Sequence, residues 1–469
     1  MFLKSIFTNS FGILTSRVFG LIRDLLTASI LGANIYSDMF FVAFKLPNLF
    51  RRIFAEGAFT QSFLPAFAKS KNKGAFVVSI LIRFLTILAV FTALVNIFDT
   101  FFTKFIAMGF SPEVIKEAAP LVAINFYYLI LIFFVTFLAT LLQYKNHFAT
   151  TAFSTTLLNI SIIGSLLLSK GLPSKVIVYY MSYAVVVGGI LQLITHFIAI
   201  KKLGLDRLFI VGFEALRRKK YDLKDELNHF YSRFFPSILG NSTAQLSAFI
   251  DTYLATFLTA GSISYLYYAN RVFQLPLALF AIAVSVAIFP RVAKYLKNKD
   301  TQKAHEMIKE SFWLLAFLLS LSTVGGMILS KEIIFLLFQR GAFTSVDTAK
   351  SAFVLSMYMV GLLPFGLSKI FSLWLYSLHK QKTAAKISSI SLGVNILLSL
   401  AFIIPLKAAG LAIASSVSGF ILFYLTIKEF GLKHFLDIIV DKKAIYLILM
   451  LFFEVIILFI FKDFIDAYI

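Results

Sequence analysis

Apolar runs of about twenty residues recur along the whole chain, separated by short polar stretches. A helix needs about 20 mostly apolar residues to cross the hydrocarbon core of a bilayer. The pattern therefore predicts membrane-spanning helices near 5–31, 36–67, 75–98, 119–143, 148–168, 176–200, 233–258, 262–290, 311–329, 351–378, 384–404, 408–427 and 444–461, thirteen in all. No stretch between them is long enough for a soluble domain. The largest polar segment, 201–232, reads as an amphipathic connector lying on the inner membrane surface. Lys4 is followed by a long apolar stretch that lacks a cleavage site and soon carries charges, which predicts an uncleaved first helix. The predicted fold class is an all-α polytopic membrane protein.

The two halves of the chain echo each other. Span 2 contains Leu46-Pro47 and later Pro65-Ala66-Phe67-Ala68-Lys69; span 8 contains Leu275-Pro276 and later Pro290-Arg291-Val292-Ala293-Lys294. Spans 5 and 11 each place an asparagine, Asn159 and Asn395, before an apolar run. Six spans separate each pair, so the echoes predict two six-helix lobes in the same orientation around a central cavity. The division is then 1–200 for spans 1–6, 201–232 for the connector, 233–430 for spans 7–12, and 431–469 for one further C-terminal span.

Composition agrees. The 469 residues are 59% hydrophobic and 14% charged, whereas soluble domains carry about 25% charged residues. The formal net charge of +21 does not signal nucleic acid, because the basic residues are sorted by side. With the N-terminus in the cytoplasm, 28 of the 44 Lys and Arg fall on the inner side, nine on the outer side and seven within spans. Positively charged inner loops are the signature of a multi-pass membrane protein facing anionic headgroups. The absence of Cys excludes a disulfide framework or a thiolate metal site.

The charges within spans are concentrated at the start of the chain. Arg17, Arg23, Asp24, Asp38, Lys45, Arg51, Arg52 and Glu56 all lie in or beside spans 1 and 2. A charge at the centre of a membrane helix costs about 2.5–3.5 kcal/mol even on the lenient insertion scale. Such residues pair with each other, line a water-filled cavity or bind something charged. On a helical wheel Asn9, Ser16, Arg17, Gly20, Arg23, Asp24 and Thr27 share one arc of about 120°. Asp24 paired with one arginine would leave the other over. Pro47 should kink span 2, and broken helices at membrane depth mark cavities in transporters. Asn125, Gln143 and Asn159 read as interhelical hydrogen bonds rather than site residues. Spans 7–12 hold only Asp251, Arg271 and Lys369, and Arg271 sits among aromatics in SISYLYYANRVFQLP. Glu454 stands alone in span 13.

No P-loop, GxSxG or paired-histidine metal motif is present, so no catalytic reading survives. What remains is anion capture. Arginine presents a planar fork of donors matched to phosphate oxygens, so Arg17, Arg23, Arg52 and Arg271 suit a diphosphate, with Asp24, Asp38 and Glu56 keeping them placed. A water-soluble anion fits this physics as well as a lipid-linked one. A cation-coupled drug exporter fits poorly, since the spans carry more Lys and Arg than acids.

The stretch SRVFGLIRDLLTASILGANIYSDMFFVAFKLPNLFRRIFAEGAFTQSFLPAF closely resembles the start of the MurJ (MviN) lipid II flippases, members of the MOP exporter superfamily with the MATE exporters and O-antigen flippases. The likeness continues through TTLLNISIIG at 155–164, GSISYLYYANR at 261–271, LFQRGAFT at 337–344 and PLKAAGL at 405–411. The resemblance implies two lobes around a cationic cavity that opens alternately to either side of the bacterial inner membrane. It implies lipid II as cargo, that is, undecaprenyl diphosphate carrying the disaccharide-pentapeptide precursor of peptidoglycan. Membrane lipids and other wall-synthesis proteins are the further partners, and nucleic acid is not one. By motif match the family's essential arginines fall on Arg17, Arg23, Arg52 and Arg271, its cavity acids on Asp24, Asp38 and Glu56, and polar cavity positions on Ser16, Asn48 and Ser264. Another polyprenyl-diphosphate sugar is the alternative cargo. Typical members have fourteen spans, and only one is found here after residue 430. No cofactor is implied beyond the sodium ion that some members bind. Asp251 matches an acid of that site, and Asn395, Ser399 and Ser415 fall where its other ligands lie. Ser399 stands where sodium-binding members carry a carboxylate.

Overall fold

The computed structural model describes residues 2–53, 57–218 and 222–466. Its helices are α1 (Phe2–Leu31), α2 (Ile35–Ile53), α3 (Phe59–Lys69), α4 (Lys73–Ile97), α5 (Asp99–Ile106), α6 (Pro112–Tyr144), α7 (Ala149–Leu168), α8 (Ser174–Lys202), α9 (Asp206–Arg217), α10 (Lys224–Ala255), α11 (Ser262–Pro276), α12 (Ala283–Lys297), α13 (Thr301–Ile328), α14 (Ser330–Phe338), α15 (Ser345–Met359), α16 (Leu362–Ser377), α17 (Gln381–Phe430), α18 (Leu432–Ile439) and α19 (Lys443–Asp466). Among the described residues there is no strand, so the all-helical expectation holds.

The described residues of each expected span are mostly helical, with a turn at 360–361 dividing span 10 between α15 and α16. Among the described residues nine helical stretches are long and apolar enough to cross a membrane. One of them, α17, is bent where Lys407 leaves helical geometry (φ 51°, ψ −129°), just after Pro405, and so supplies spans 11 and 12. The charged helices α1, α2–α3 and α10 cover spans 1, 2 and 7. Within span 2, helix α2 continues through Pro47 and ends at Ile53. Within span 8, Pro276 is followed directly by a π-helical turn, Leu277–Ile282. A proline removes a ladder hydrogen bond, and a wider turn absorbs the mismatch.

The chain forms two compact units, 1–257 and 258–469. Residues 224–232, expected in the polar connector, are instead the first turns of α10. Their apolar side chains explain this: Leu227 and Phe230, with Phe234 just beyond, are buried in the first unit, where α10 packs along α2 and α3.

In the first unit α7 packs between α1 and α8, and α6 packs against α2, α4 and α8. Lipid removes most of the hydrophobic drive for helices to associate, so close packing and polar contacts hold them. The chain's 55 phenylalanines supply the packing. Phe59 of α3 meets Phe133 of α6 edge-on at 5.8 Å and Phe234 of α10 at 6.2 Å, while Phe84 of α4 stacks on Phe133 at 5.2 Å. Edge-to-face and offset pairs each contribute about 0.5–1.5 kcal/mol beyond their burial.

The second unit repeats several of these relations. The pairs α2–α6 and α4–α6 are matched by α11–α15 and α13–α16, and α6–α8 is matched by α15–α17. Spans 8–12 thus pack on one another as spans 2–6 do, in line with the sequence echoes. The exception is α10, whose counterpart α1 packs on α7. The last helix, α19, lies against α13, and α18 is held to α13 by Trp313 donating to the Ile438 carbonyl (3.1 Å) and by a Lys309–Asp441 ion pair (3.0 Å).

Helix α9 is seated on α4 through two glycines. A methyl group at Gly212 would lie 2.2 Å from the Gly74 carbonyl oxygen, and one at Gly74 would lie 2.8 Å from the Leu208 carbonyl oxygen. Glycine-to-alanine in a helix ordinarily stabilises it by about 1 kcal/mol. Here Gly212→Ala should do the opposite and lower the unfolding midpoint. Disulfide yield between cysteines placed on α4 and α9, measured in this cysteine-free chain, should fall with it; unchanged yield and midpoint would contradict the close seating.

Candidate functional site

Helix α1 brings its polar stripe against α7. Arg23 donates from Nε and Nη2 to Asp24 Oδ1, at 3.0 and 2.7 Å, and from Nη1 to Asn159 Oδ1 of α7 at 2.9 Å. Asn159 Nδ2 donates to the Ser16 carbonyl at 3.1 Å. Neighbouring helix residues point about 100° apart, so this ion pair forms only because the arginine is long enough to fold back across the helix. The pair is enclosed: the side chains are 11% and 4% exposed. Of the two arginines competing for Asp24, Arg23 takes it, and Arg17 lies exposed on α1.

A capped turn sets the start of α2. Asn34 Oδ1 accepts from the backbone N–H groups of Tyr36 and Ser37 at 2.9 and 3.2 Å, after Gly32 with φ 75°. That turn places Asp38 in the first turn of α2, where it is buried. One candidate polar residue has a specific partner there: Asn48 Oδ1 accepts from Arg51 Nε at 3.0 Å. Arg52 lies in the last turn of α2; its side chain and Glu56 lie outside the described residues.

Two residues not expected at the site belong beside it. Asn159 was read as helix packing, and it does bridge helices, but onto Arg23. Tyr128 of α6 is fully buried, donates to Gln192 Oε1 at 3.3 Å, and lies where the charges of Arg51 and Arg23 reach its hydroxyl. The only sequence hint was an intramembrane polar side chain; which helix it faces depends on packing.

In the second unit Arg271 donates from Nη2 to the Tyr267 hydroxyl at 3.0 Å, one turn earlier on α11, and its guanidinium carbon lies 5.1 Å from that ring's centroid. Such stacking on an aromatic face is typical of arginine and supports the charge where water is scarce. Ser264, seven residues before Arg271 and so on the same side of α11, is buried. Two further tyrosines anchor the helix: Tyr265 donates to Asp347 Oδ1 at 3.0 Å, and Tyr268 packs on Phe338 and Phe343.

Of the residues matched to a cation site, Asn395, Ser399 and Ser415 are hydrogen-bonded to one another within the second unit. The bend in α17 folds Ser415 back toward Asn395, whose Oδ1 accepts from Ser399 at 3.4 Å and from Ser415 at 3.5 Å. Asp251 is buried on α10, in the first unit. Among the described residues no group of three His, Cys, Asp or Glu side chains is arranged to hold a metal.

Membrane helices in two compact units, with paired arginines inside them, define a multi-pass protein of the transporter type. The fold is similar to that of a structure titled inward-facing conformation of a multidrug resistance MATE family transporter of the MOP superfamily: TM-score 0.71 at 12% identity, covering 89% of this chain and 94% of that one. A structure titled lipid II flippase MurJ, inward closed conformation, superposes with TM-score 0.77 at 25% identity, covering 97% of this chain and 99% of that one. Residues 27–469 match the family model described as lipid II flippase MurJ. Among curated proteins, the probable lipid II flippase MurJ of Helicobacter pylori (strain J99 / ATCC 700824) is 50% identical over 93% of this chain and 97% of its own length. That of Buchnera aphidicola subsp. Acyrthosiphon pisum is 32% identical over 98% and 90%. The chain belongs to the lipid II flippase MurJ family.

The enclosed ion pair makes a stability prediction. Removing one partner of a buried pair leaves an uncompensated charge and costs about 3–5 kcal/mol. Asp24→Ala should therefore lower stability by about that much, and adding Arg23→Ala should recover part of it. Unfolding of the purified variants in detergent checks this; a double variant less stable than Asp24→Ala alone would contradict the pairing.

Proposed function

We propose that this chain flips lipid II from the inner to the outer leaflet of the bacterial inner membrane by alternating access. The reading is supported by membership of the flippase family and carried by one observation: an arginine enclosed within membrane helices, gripped by the Asp24 carboxylate and the Asn159 amide. Arg17, Arg23 and Arg52 of the first unit and Arg271 of the second supply donors to the diphosphate. Asp24, Asp38 and Glu56 hold the arginines in place while cargo is absent, and Ser16, Asn48 and Ser264 add polar contacts. The protein is a transporter and not an enzyme: no bond of the cargo is made or broken. Its partners are lipid II, the surrounding lipids and other wall-synthesis proteins. Its N-terminus is cytoplasmic, in keeping with the sorting of Lys and Arg.

Asp251, Asn395, Ser399 and Ser415 form the part of this reading that concerns a coupling ion. A carboxylate with amide and hydroxyl oxygens is a donor set that a hard monovalent cation such as sodium accepts, and the grouping of Asn395 with both serines supports it. No step of transport is assigned to the ion.

Complementation of a flippase-depleted bacterium tests the function. A hydrogen bond to a charged group contributes about 1.5–3 kcal/mol, so Arg23→Ala, Arg52→Ala and Arg271→Ala should each weaken cargo binding about ten- to a hundred-fold and fail to support growth. Normal growth with all three variants at wild-type levels in membranes would contradict diphosphate capture. A reporter fused after Ile469 should be active on the outer side of the membrane, as thirteen spans from a cytoplasmic start require; activity confined to the cytoplasm would overturn that topology.

A further inference from the structure

We infer that Asn159 is a positioning residue for anion capture: it fixes the plane of the Arg23 guanidinium without cancelling its charge. The inference rests on the flippase reading above and adds to it a residue on a different helix. The guanidinium is held at two edges. Asp24 Oδ1 takes Nε and Nη2, while Asn159 Oδ1 takes Nη1 from the other side. A planar group held at two edges cannot rotate about its long axis, so its remaining donor directions are set before cargo arrives.

The amide orientation is fixed by a separate contact. Nδ2 of Asn159 donates to the Ser16 carbonyl, so the oxygen is the atom turned to Arg23; the reverse orientation would set an amide N–H against a cation and lose both bonds. Gly20 lies under this amide, where a methyl group would sit in ordinary van der Waals contact, 3.6 Å from Nδ2. Ser16, Gly20 and Arg23 therefore form one strip of α1 that the Asn159 side chain covers, and Ser16 contributes to it through its backbone.

The choice of asparagine follows from charge. Asp24 already supplies one negative charge to Arg23. A second carboxylate at 159 would hold the guanidinium equally well but add a negative charge beside it, weakening its attraction for an arriving diphosphate. A leucine of similar volume would keep the packing of α7 on α1 and lose the grip. Asn is the side chain of that size that both grips and stays neutral. A role confined to tying α7 to α1 would be indifferent to the charge of cargo and independent of the Arg23 side chain, which separates the two roles experimentally.

The test uses the purified full chain in detergent and farnesyl diphosphate as probe, with binding measured by calorimetry and thermal unfolding followed in parallel. N159L should bind about tenfold more weakly than wild type, and N159D more weakly still. Asn159→Leu added to Arg23→Ala should cost no further affinity, because the residue acts through the arginine. The inference is overturned if N159D binds as wild type, or if Asn159→Leu lowers affinity by the same factor with and without Arg23. Should N159L fail to accumulate in membranes, N159S carries the same comparison and the same two overturning results. Wild-type binding by R23A would instead defeat the diphosphate reading itself, so the two failures are distinct.

Discussion

A charge carried into a membrane helix must be matched there, and the first unit is arranged around one such match. Arg23 and Asp24 are adjacent in sequence, so α1 brings its own counter-ion. A carboxylate accepting two donors from one arginine still leaves the guanidinium an edge to be held, and α7 fills that edge with a neutral amide. The requirement is local, yet it fixes which helix must pack on α1, at what depth, and in what rotation. Gly20 lies on the same strip of α1, beneath the amide.

The remainder of the first unit makes that arrangement stiff. Aromatic rings from α3, α4, α6 and α10 interlock at 5–6 Å, a packing whose strength does not depend on water being expelled. Some buried polar residues there join helices: Asn125 donates to Ser182 across α6 and α8 at 2.9 Å, and Tyr128 reaches Gln192. Such bonds contribute about 1 kcal/mol or less each in membrane proteins, so they set the register of packed helices more than they hold the unit together. The second unit uses the same devices at different positions: Arg271 rests on the ring of its own neighbour, Tyr267.

Much of this was legible in the sequence, because hydropathy and helix periodicity are properties of the chain itself. The spans, the polar stripe of α1 and the break between spans 11 and 12 were all read from spacing, and the π turn directly follows the echoed Leu275-Pro276 pair. Other features were not legible, because they arise where two helices meet. Nothing in TTLLNISIIG says that Asn159 faces Arg23 rather than α8. Nothing around 224–232 says that polar-looking residues continue a helix, until Phe230 and Phe234 are seen packed among the rings of α3 and α4. Asp24 choosing Arg23 over Arg17 is likewise decided by reach and enclosure. Periodicity gives the face of a helix, and packing decides what the face meets.

The central claim is that arginines held within the membrane recognise the diphosphate of a lipid-linked cargo. Transport across proteoliposomes of three polyprenyl lipids of equal chain length, carrying a diphosphate, a monophosphate or a free hydroxyl, tests it most directly. The account predicts fast flipping of the diphosphate lipid, slower flipping of the monophosphate, and only the protein-free rate for the alcohol. Equal protein-dependent flipping of all three would contradict it.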